Sequence, residues 1–193
     1  MNEQNIIKGC IEYDNAAQKA LYKLYAPKMY SICLRYVKDT DEAKDVMQEC
    51  FIKVFTSIQK FRSEGSLEGW VKRILVNTAL SHLRKNKIVQ QYVDATEIEL
   101  ANLEDTSTDD GLEGVDFSEE ELLNEIQALP DQYKIIFNLY CFEDYSHKMI
   151  AEQLSISETG SRVRLIRARK MLQVSLMKLQ KERLKKHALM NKW

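Results

Sequence analysis

The chain has 193 residues, of which 45% are hydrophobic and 30% charged, with 28 basic against 29 acidic side chains. This composition is typical of a folded globular protein and excludes a disordered or fibrous chain. Only 2 Pro and 6 Gly are present, which disfavours a turn-rich sandwich or barrel and favours an all-α fold. No apolar run reaches the roughly 18–20 residues that span a bilayer. The N-terminus lacks a signal-peptide layout, so we expect a cytoplasmic protein.

No pattern of catalytic or metal-binding residues is found in the sequence. The four cysteines are scattered, without a C-x-x-C pair or a His at zinc-ligand spacing, and three of them lie in helical apolar patterns typical of buried structural thiols. The three histidines are far apart, and no phosphate-binding glycine loop, nucleophile elbow or H-E-x-x-H motif is present. We therefore expect a protein that is not an enzyme and that uses no cofactor and no metal.

Charge is distributed unevenly along the chain. Residues 88–121 carry 12 acidic side chains and no Lys or Arg, whereas both flanking segments are net basic. The Ser, Thr, Asp and Gly content of this stretch predicts a flexible acidic linker over residues 88–117, between domains at 1–87 and 118–193. A solvated spacer is the simpler interpretation. The alternative is an acidic mimic that competes with nucleic acid for the basic faces.

The first domain is predicted to be helical throughout. Apolar residues recur at helical spacing over residues 15–37, and Pro27 predicts a break there into two helices. The next helix starts with Asp39 or Thr40 as its N-cap and has one wide apolar stripe. The stripe consists of Ala43, Val46, Met47, Cys50, Phe51, Val54, Phe55 and Ile58.

The opposite face of this helix carries Asp45, Gln48 and Glu49 together with the aliphatic Ile52. An acidic surface on an otherwise basic domain suits a basic partner protein. A merely solvated face has the same pattern and is the alternative.

A basic helix is predicted over residues 67–87. Six polar residues lie off its apolar stripe: Lys72, Arg73, Asn77, Ser81, Arg84 and Lys85. Basic side chains suit phosphate contacts and an amide can hydrogen-bond a base, although a solvated face that is merely basic remains the alternative. The buried stripe is predicted to contain Leu67, Trp70, Val71, Ile74, Leu75, Thr78, Ala79 and either His82 or Leu83.

The second domain opens with a strong helix start. Ser118 and Glu121 form a capping-box pattern, and the helix that follows ends before Pro130. A second helix is predicted to bury Tyr133, Ile136, Phe137 and Tyr140.

A short helix capped by Ser146, a three-residue turn at 155–157 and a basic helix from Glu158 follow. This is the layout of a helix-turn-helix. In the basic helix Ser161, Leu165, Ala168 and Leu172 are predicted to pack inward, whereas five residues face outward: Arg162, Val163, Ile166, Arg167 and Lys170. Arg pairs with guanine or phosphate and Val or Ile can contact a thymine methyl, so this face predicts DNA contact.

Together these motifs resemble the extracytoplasmic-function (ECF) subgroup of bacterial RNA polymerase sigma factors, which retain only sigma regions 2 and 4. Two departures from the family pattern are Met149, where Glu is usual, and Thr159-Gly160, which reverses the usual Gly-Thr. The matching pieces are Asp45-Val-Met-Gln48-Glu49-Cys-Phe51, Trp70-Val-Lys-Arg-Ile-Leu-Val-Asn77, Leu83-Arg84, Leu129-Pro130, Tyr145-Ser146, Ile150-Ala151 and Arg167-Ala168-Arg169.

The resemblance implies an all-α protein of two small helical domains, a region 2-like bundle and a region 4-like helix-turn-helix, joined by the flexible acidic linker. It implies that core RNA polymerase is bound by Asp45, Gln48, Glu49 and Ile52. The -10 promoter element would be contacted by Phe61, Lys72, Arg73, Asn77 and Arg84. The -35 element would be contacted by Arg162, Val163, Ile166, Arg167 and Lys170.

The implied function is that of a sigma factor, which directs core polymerase to specific promoters and aids promoter melting. The implied partners are core RNA polymerase, promoter DNA and an anti-sigma factor. One alternative is a helix-turn-helix transcriptional regulator that is not a sigma factor, which would share only the second domain. An enzyme acting on nucleic acid is a third class, but neither basic domain contains a metal-binding acidic cluster.

Overall fold

The computed structural model describes residues 2–85 and 116–190, with side chains of the last helix up to Lys185. The chain divides into two compact units, Met1–Ile88 and Val89–Trp193. Throughout the described residues the regular structure is helical and contains no strand, as the composition predicts. The predicted linker falls almost entirely on residues 86–115, which lie outside the described residues.

The first unit contains four α-helices and one turn of 3-10 helix. The hydroxyl of Tyr25 donates to the Glu3 carboxylate at 3.0 Å, which ties the first helix to the second. Lys53 donates to the Thr78 hydroxyl at 3.2 Å and so links the third helix to the fourth. The elements are α1 Glu3–Ile11, α2 Asn15–Tyr36, α3 Thr40–Ser57, the 3-10 turn Ile58–Lys60 and α4 Leu67–Lys85.

Helix α2 is continuous through Pro27, so the predicted break is wrong. Proline removes the N–H that would bond the carbonyl of Lys23, but Lys23 and Pro27 both lie on the exposed side, where water can satisfy that carbonyl. Buried residues on both sides of the proline, including Tyr25 and Met29, hold the helix against the core. Packing therefore outweighs the local preference of one residue.

Helix α3 begins as predicted. The carboxylate of Asp39 accepts the backbone N–H groups of Asp41 and Glu42 at 2.8 and 2.9 Å. The predicted stripe faces the core, with Met47 and Phe55 half-buried at its margins. Its fully buried members are Ala43, Val46, Cys50, Phe51, Val54 and Ile58.

Helix α4 also buries the predicted face, with Leu83 rather than His82 as its last core residue. Trp70 and Ile74 are only half-buried. Val76 and Leu80 join the buried set, which makes the contact of α4 with α2 and α3 wider than a single stripe. The charged residues of α4 thus lie on its outer side, whereas the polar Thr78 is buried.

The second unit contains α5 Glu119–Ala128, α6 Asp131–Cys141, α7 His147–Leu154 and α8 Glu158–Met190. The capping box at α5 is formed in both directions: Glu121 donates its N–H to Ser118, and the Glu121 carboxylate accepts the N–H of Ser118. Ser146 caps α7 through the N–H of Met149 at 3.2 Å. With Met149 in place of Glu, the reciprocal bond of a capping box is not formed there.

Helix α6 buries a different face from the predicted one. Ile136 is fully buried as expected, but Tyr140 is exposed and Tyr133 and Phe137 are only half-buried. The core side also includes Lys134, Ile135, Asn138 and Leu139. Because α6 packs against both α7 and α8, its buried arc is wide and centred on the aliphatic residues, and the aromatic rings lie at its margins.

Within the described ranges, no helix is both long enough and apolar enough to cross a membrane.

Replacing Pro27 by Ala should raise the free energy of unfolding of the first unit by about 1–2 kcal/mol, because the helical N–H is restored at a solvated position. Part of the gain is offset by the greater freedom of the unfolded chain. Urea unfolding followed by Trp70 fluorescence in a Trp193→Phe background measures the change. Pro130→Ala, in the other unit, is the control and should leave this transition unmoved. A less stable Pro27→Ala variant would contradict the account of α2.

Candidate functional site

The outer face of α3 carries the four residues predicted to bind a protein partner. Asp45, Gln48 and Ile52 are exposed, with Ile52 57% exposed, and Glu49 is half-buried. Glu49 pairs with Lys53 at 2.8 Å, and the hydrogen bond from Lys53 lowers the pKa of the Glu49 carboxyl. Within the described part of the chain, the side chains of Asp45 and Gln48 have no hydrogen-bond partner. The face therefore presents polar groups and an aliphatic side chain that are available to a partner.

An open cavity of about 380 Å³ lies where the loop after the 3-10 turn meets the start of α4. Its aromatic wall is formed by Phe61 and Trp70, whose ring centroids are 5.5 Å apart at 52°. Ser66 caps α4 by accepting the N–H of Gly69 at 3.0 Å, which fixes the loop to the helix. The cavity is lined by Lys60, Phe61, Arg62, Glu64, Gly65, Ser66, Gly69, Trp70 and Arg73.

This cavity combines flat aromatic surface with cationic side chains. A planar base can stack on such rings, and the guanidinium groups of Arg62 and Arg73 can neutralise a phosphate. Of the other predicted contacts on α4, Asn77 and Arg84 are exposed and Lys72 is half-buried. The structure thus brings Phe61 and Arg73 into one cavity, whereas Asn77 and Arg84 lie further along the same helix.

The start of α8 is buried over a wider arc than predicted. Ser161, Leu165, Ala168 and Leu172 face inward as expected, but Val163 is also buried, at 5% exposure. The prediction that Val163 faces outward is therefore wrong. Because α8 packs against both α6 and α7, the buried arc of its first turns extends as far as Val163.

Four of the five predicted DNA-contacting residues remain on the outside of α8. Arg162 and Lys170 are exposed, and Ile166 and Arg167 are half-buried. The Arg162 guanidinium lies 3.8 Å from the Glu158 carboxylate, a loose and exposed ion pair that a phosphate can displace. Arg162, Ile166 and Lys170 follow one another at four-residue spacing and so share one face.

Two polar residues beneath this face were not singled out by the sequence patterns. Arg164 is buried, and its guanidinium lies close to Gly160. His147 contacts the Ser161 hydroxyl at 2.9 Å and stacks on Tyr140 at 4.6 Å. Helical periodicity scores apolar positions only, so it gives no signal for buried polar groups.

The far part of α8 is bound to the beginning of the unit. Ser175 donates to the Glu125 carboxylate, and Arg183 forms an ion pair with Glu121. The hydrogen bond from Arg183, with those from Ser118, lowers the pKa of the Glu121 carboxyl to about 2. These contacts add a second attachment of α8 beyond the helix-turn-helix.

Among the residues with described side chains, no group of three or more His, Cys, Asp or Glu is placed to hold a metal ion.

Comparison with known proteins gives two family matches. Residues 21–88 match Sigma-70 region 2, and residues 119–172 match Sigma-70 region 4. The two matches fall one in each compact unit, and together they cover more than half of the chain.

Individual relatives agree with these matches. The chain is 34% identical over 149 residues to RNA polymerase sigma factor SigV of Bacillus subtilis, covering 77% of this chain and 84% of that protein. It is 30% identical over 188 residues to the ECF RNA polymerase sigma-E factor of Haemophilus influenzae, covering 93% and 97%. The sigma factor RpoE of Bartonella quintana, solved in complex with the anti-sigma factor NepR, superposes with a TM-score of 0.51 at 21% identity, covering 82% and 95%. That structural likeness supports the fold.

Substituting Val163 by Ala should lower the free energy of unfolding of the second unit by about 2 kcal/mol, because two buried methyl groups are removed. Arg162→Ala is the matched control and should change stability by less than about 0.5 kcal/mol, because Arg162 is exposed. Hydrogen exchange of the slowest α6 amides measures both values. Equal stability of the two variants would place Val163 on the surface instead.

His147 should make the second unit less stable at mildly acidic pH. Burial lowers the pKa of His147 from 6.5, and the nearby Arg162 and Arg169 lower it further against the weaker opposing effect of Glu158. Below about pH 6.5 the unfolded chain therefore binds a proton that the folded chain does not. The free energy of unfolding of this unit therefore decreases as the pH is lowered.

An NMR titration of the His147 ring measures its pKa directly, and urea unfolding at pH 7.5 and 5.5 measures the effect on stability. His147→Gln should reduce the dependence on pH, whereas His82→Gln, in the other unit, should not. A ring midpoint above 6.5 would refute the assignment.

Proposed function

The chain belongs to the extracytoplasmic-function family of RNA polymerase sigma factors, and we propose that its two units divide promoter recognition between them. As a sigma factor, it directs core RNA polymerase to specific promoters and aids promoter melting at initiation. The region 2 match over residues 21–88 rules against a helix-turn-helix regulator that shares only the second unit. We propose that the chain has no catalytic activity of its own, that it acts in the cytoplasm, and that an anti-sigma factor is a further partner.

The proposed polymerase contact is the outer face of α3. One observation carries this assignment: an acidic face with an aliphatic side chain is exposed on a unit whose charge is otherwise basic. Asp45 and Gln48 have no partner among the described residues, so a partner protein does not have to break an existing bond. Covering Ile52 would add about 1 kcal/mol of hydrophobic free energy.

The proposed -10 contact is the cavity at the start of α4. An unstacked base of the melted strand would lie against Phe61 and Trp70, a kind of contact worth about 1–3 kcal/mol per base. Arg62 and Arg73 would neutralise the adjoining phosphates. Lys72, Asn77 and Arg84 would continue the contact along α4, and the melted state is stabilised because paired bases cannot enter the cavity.

The proposed -35 contact is the outer face of the first turns of α8. Arg162, Ile166, Arg167 and Lys170 would enter the major groove, where arginine binds guanine through two hydrogen bonds. Val163 and Arg164 would support this face from below. Neither unit needs high affinity for DNA alone, because the polymerase holds both and raises their effective concentration at the promoter.

The double substitution Asp45→Ala and Gln48→Ala should weaken binding to core RNA polymerase at least tenfold, about 1.4 kcal/mol, because two exposed partner groups are lost. Fluorescence anisotropy of the labelled chain against core enzyme measures the affinity.

Lys19→Ala with Lys23→Ala, both exposed on α2, forms the control and should leave binding unchanged. Circular dichroism verifies that each variant stays folded. Unaltered affinity in the Asp45 and Gln48 variant would reject the α3 face as the polymerase contact.

A further inference from the structure

Helix α8 continues well beyond the part of the chain that matches sigma region 4. The match ends at residue 172, whereas the helix runs to Met190. At 1.5 Å per residue, the 33-residue helix is about 50 Å long. The last 18 residues of the helix, 173–190, which we call the extension, thus lie outside the match.

One side of the extension holds the chain where it enters the second unit. Arg183 donates to the backbone carbonyl of Asp116 at 2.8 Å, and its guanidinium lies 5.2 Å from the centroid of the Phe117 ring. With the Arg183–Glu121 ion pair, these contacts hold residues 116–121 on α8. Asp116 follows the acidic connector, defined here as residues 94–113, by three residues.

The other side of the extension is an exposed stripe of lysines and apolar side chains. Met171 and Val174 are 40% and 62% exposed, and none of the four lysines has an ion-pair partner among the described residues. One acidic residue, the exposed Glu182, lies at the edge of this side, four residues after Lys178. Its members, which recur at spacings of one, three or four residues and which we call the lysine stripe, are Lys170, Met171, Val174, Lys178, Lys181 and Lys185.

The acidic connector is complementary to this stripe in chemistry. It has eight Asp or Glu residues and no Lys or Arg, and it carries Ile98, Leu100, Leu103 and Leu112 between the acids. Carboxylates interleaved with aliphatic side chains match lysines interleaved with Met and Val, since both charge and apolar area are paired.

We propose that the acidic connector docks on the lysine stripe of α8 in the free protein. Asp116, three residues after the connector, is held on α8. The 20 residues of the connector extend up to about 70 Å, whereas the stripe from Lys170 to Lys185 spans about 22 Å. The connector is therefore long enough to cover the whole stripe. Because both lie in the same chain, the effective concentration of the connector at the stripe is about millimolar for a short tether.

Docking there would make DNA binding by the free chain self-limiting. The stripe begins at Lys170, on the face assigned to the -35 element, so a docked connector and a DNA duplex compete for the same cationic surface. The docking depends only on the side chains of α8 and the connector. It can therefore be tested independently of the proposed contacts with polymerase and promoter DNA.

Hydrogen–deuterium exchange of the intact chain, in about 50 mM salt, tests this proposal. Amides of residues 94–113 should exchange about fivefold more slowly than in an isolated peptide of the same sequence, and 0.5 M salt should remove the difference. The triple variant Lys178→Glu, Lys181→Glu, Lys185→Glu should release the connector to the peptide rate. These lysines lie outside the proposed DNA contact, and protection of α6 verifies folding.

The matched control reverses three exposed lysines of the first unit, Lys19→Glu, Lys23→Glu and Lys38→Glu, for the same change in net charge, and should leave the connector protected. Lys178→Gln, Lys181→Gln and Lys185→Gln should release it partly, without the added negative charge. If the amides of residues 94–113 in the unaltered chain exchange as fast as in the isolated peptide, the proposal is overturned. It is also overturned if the control variant raises their exchange rate as much as the α8 variant does. Protection that grows with protein concentration would assign the stripe to a second copy and would overturn it too.

Discussion

A helix at the surface of a small unit buries one face and exposes the other, and this constraint determines where each unit can bind a partner. In α3 the burial of Val46, Cys50 and Val54 leaves Asp45 and Gln48 outside. In α8 the small side chains of Ser161 and Ala168 are completely buried. Small residues at these positions let α8 lie close to its neighbours, and its rotation then decides which arginines reach solvent. The functional surfaces are therefore consequences of core packing.

The sequence predicts this arrangement well where the structure depends on residues that are close together in the chain. Capping residues such as Asp39, Ser118 and Ser146 mark helix starts because their side chains bind backbone N–H groups within three residues. The α3 stripe is predicted because the residues that α3 buries against α2 and α4 form one periodic set. Both features are decided by residues that are close in sequence.

The predictions that fail depend on contacts between distant residues. Pro27 is tolerated because the helix packs against the core on both sides of it, and Val163 is buried because two helices cover the start of α8. The buried face of α6 is displaced from its aromatic residues for the same reason. Buried polar groups such as Arg164 and Asn138 also escape a periodicity argument, because their burial depends on partners that apolar patterns do not include.

The near-neutral total charge conceals an arrangement in which charge is sorted along the chain. Basic surfaces on both units suit DNA, the acidic face of α3 suits a protein, and the acidic connector separates the units in sequence. The central claim is that this chain gives core RNA polymerase its choice of promoter. Run-off transcription with mapped 5′ ends tests it most directly: the account predicts new start sites that appear only when core enzyme and chain are combined. Start sites identical with and without the chain would contradict it.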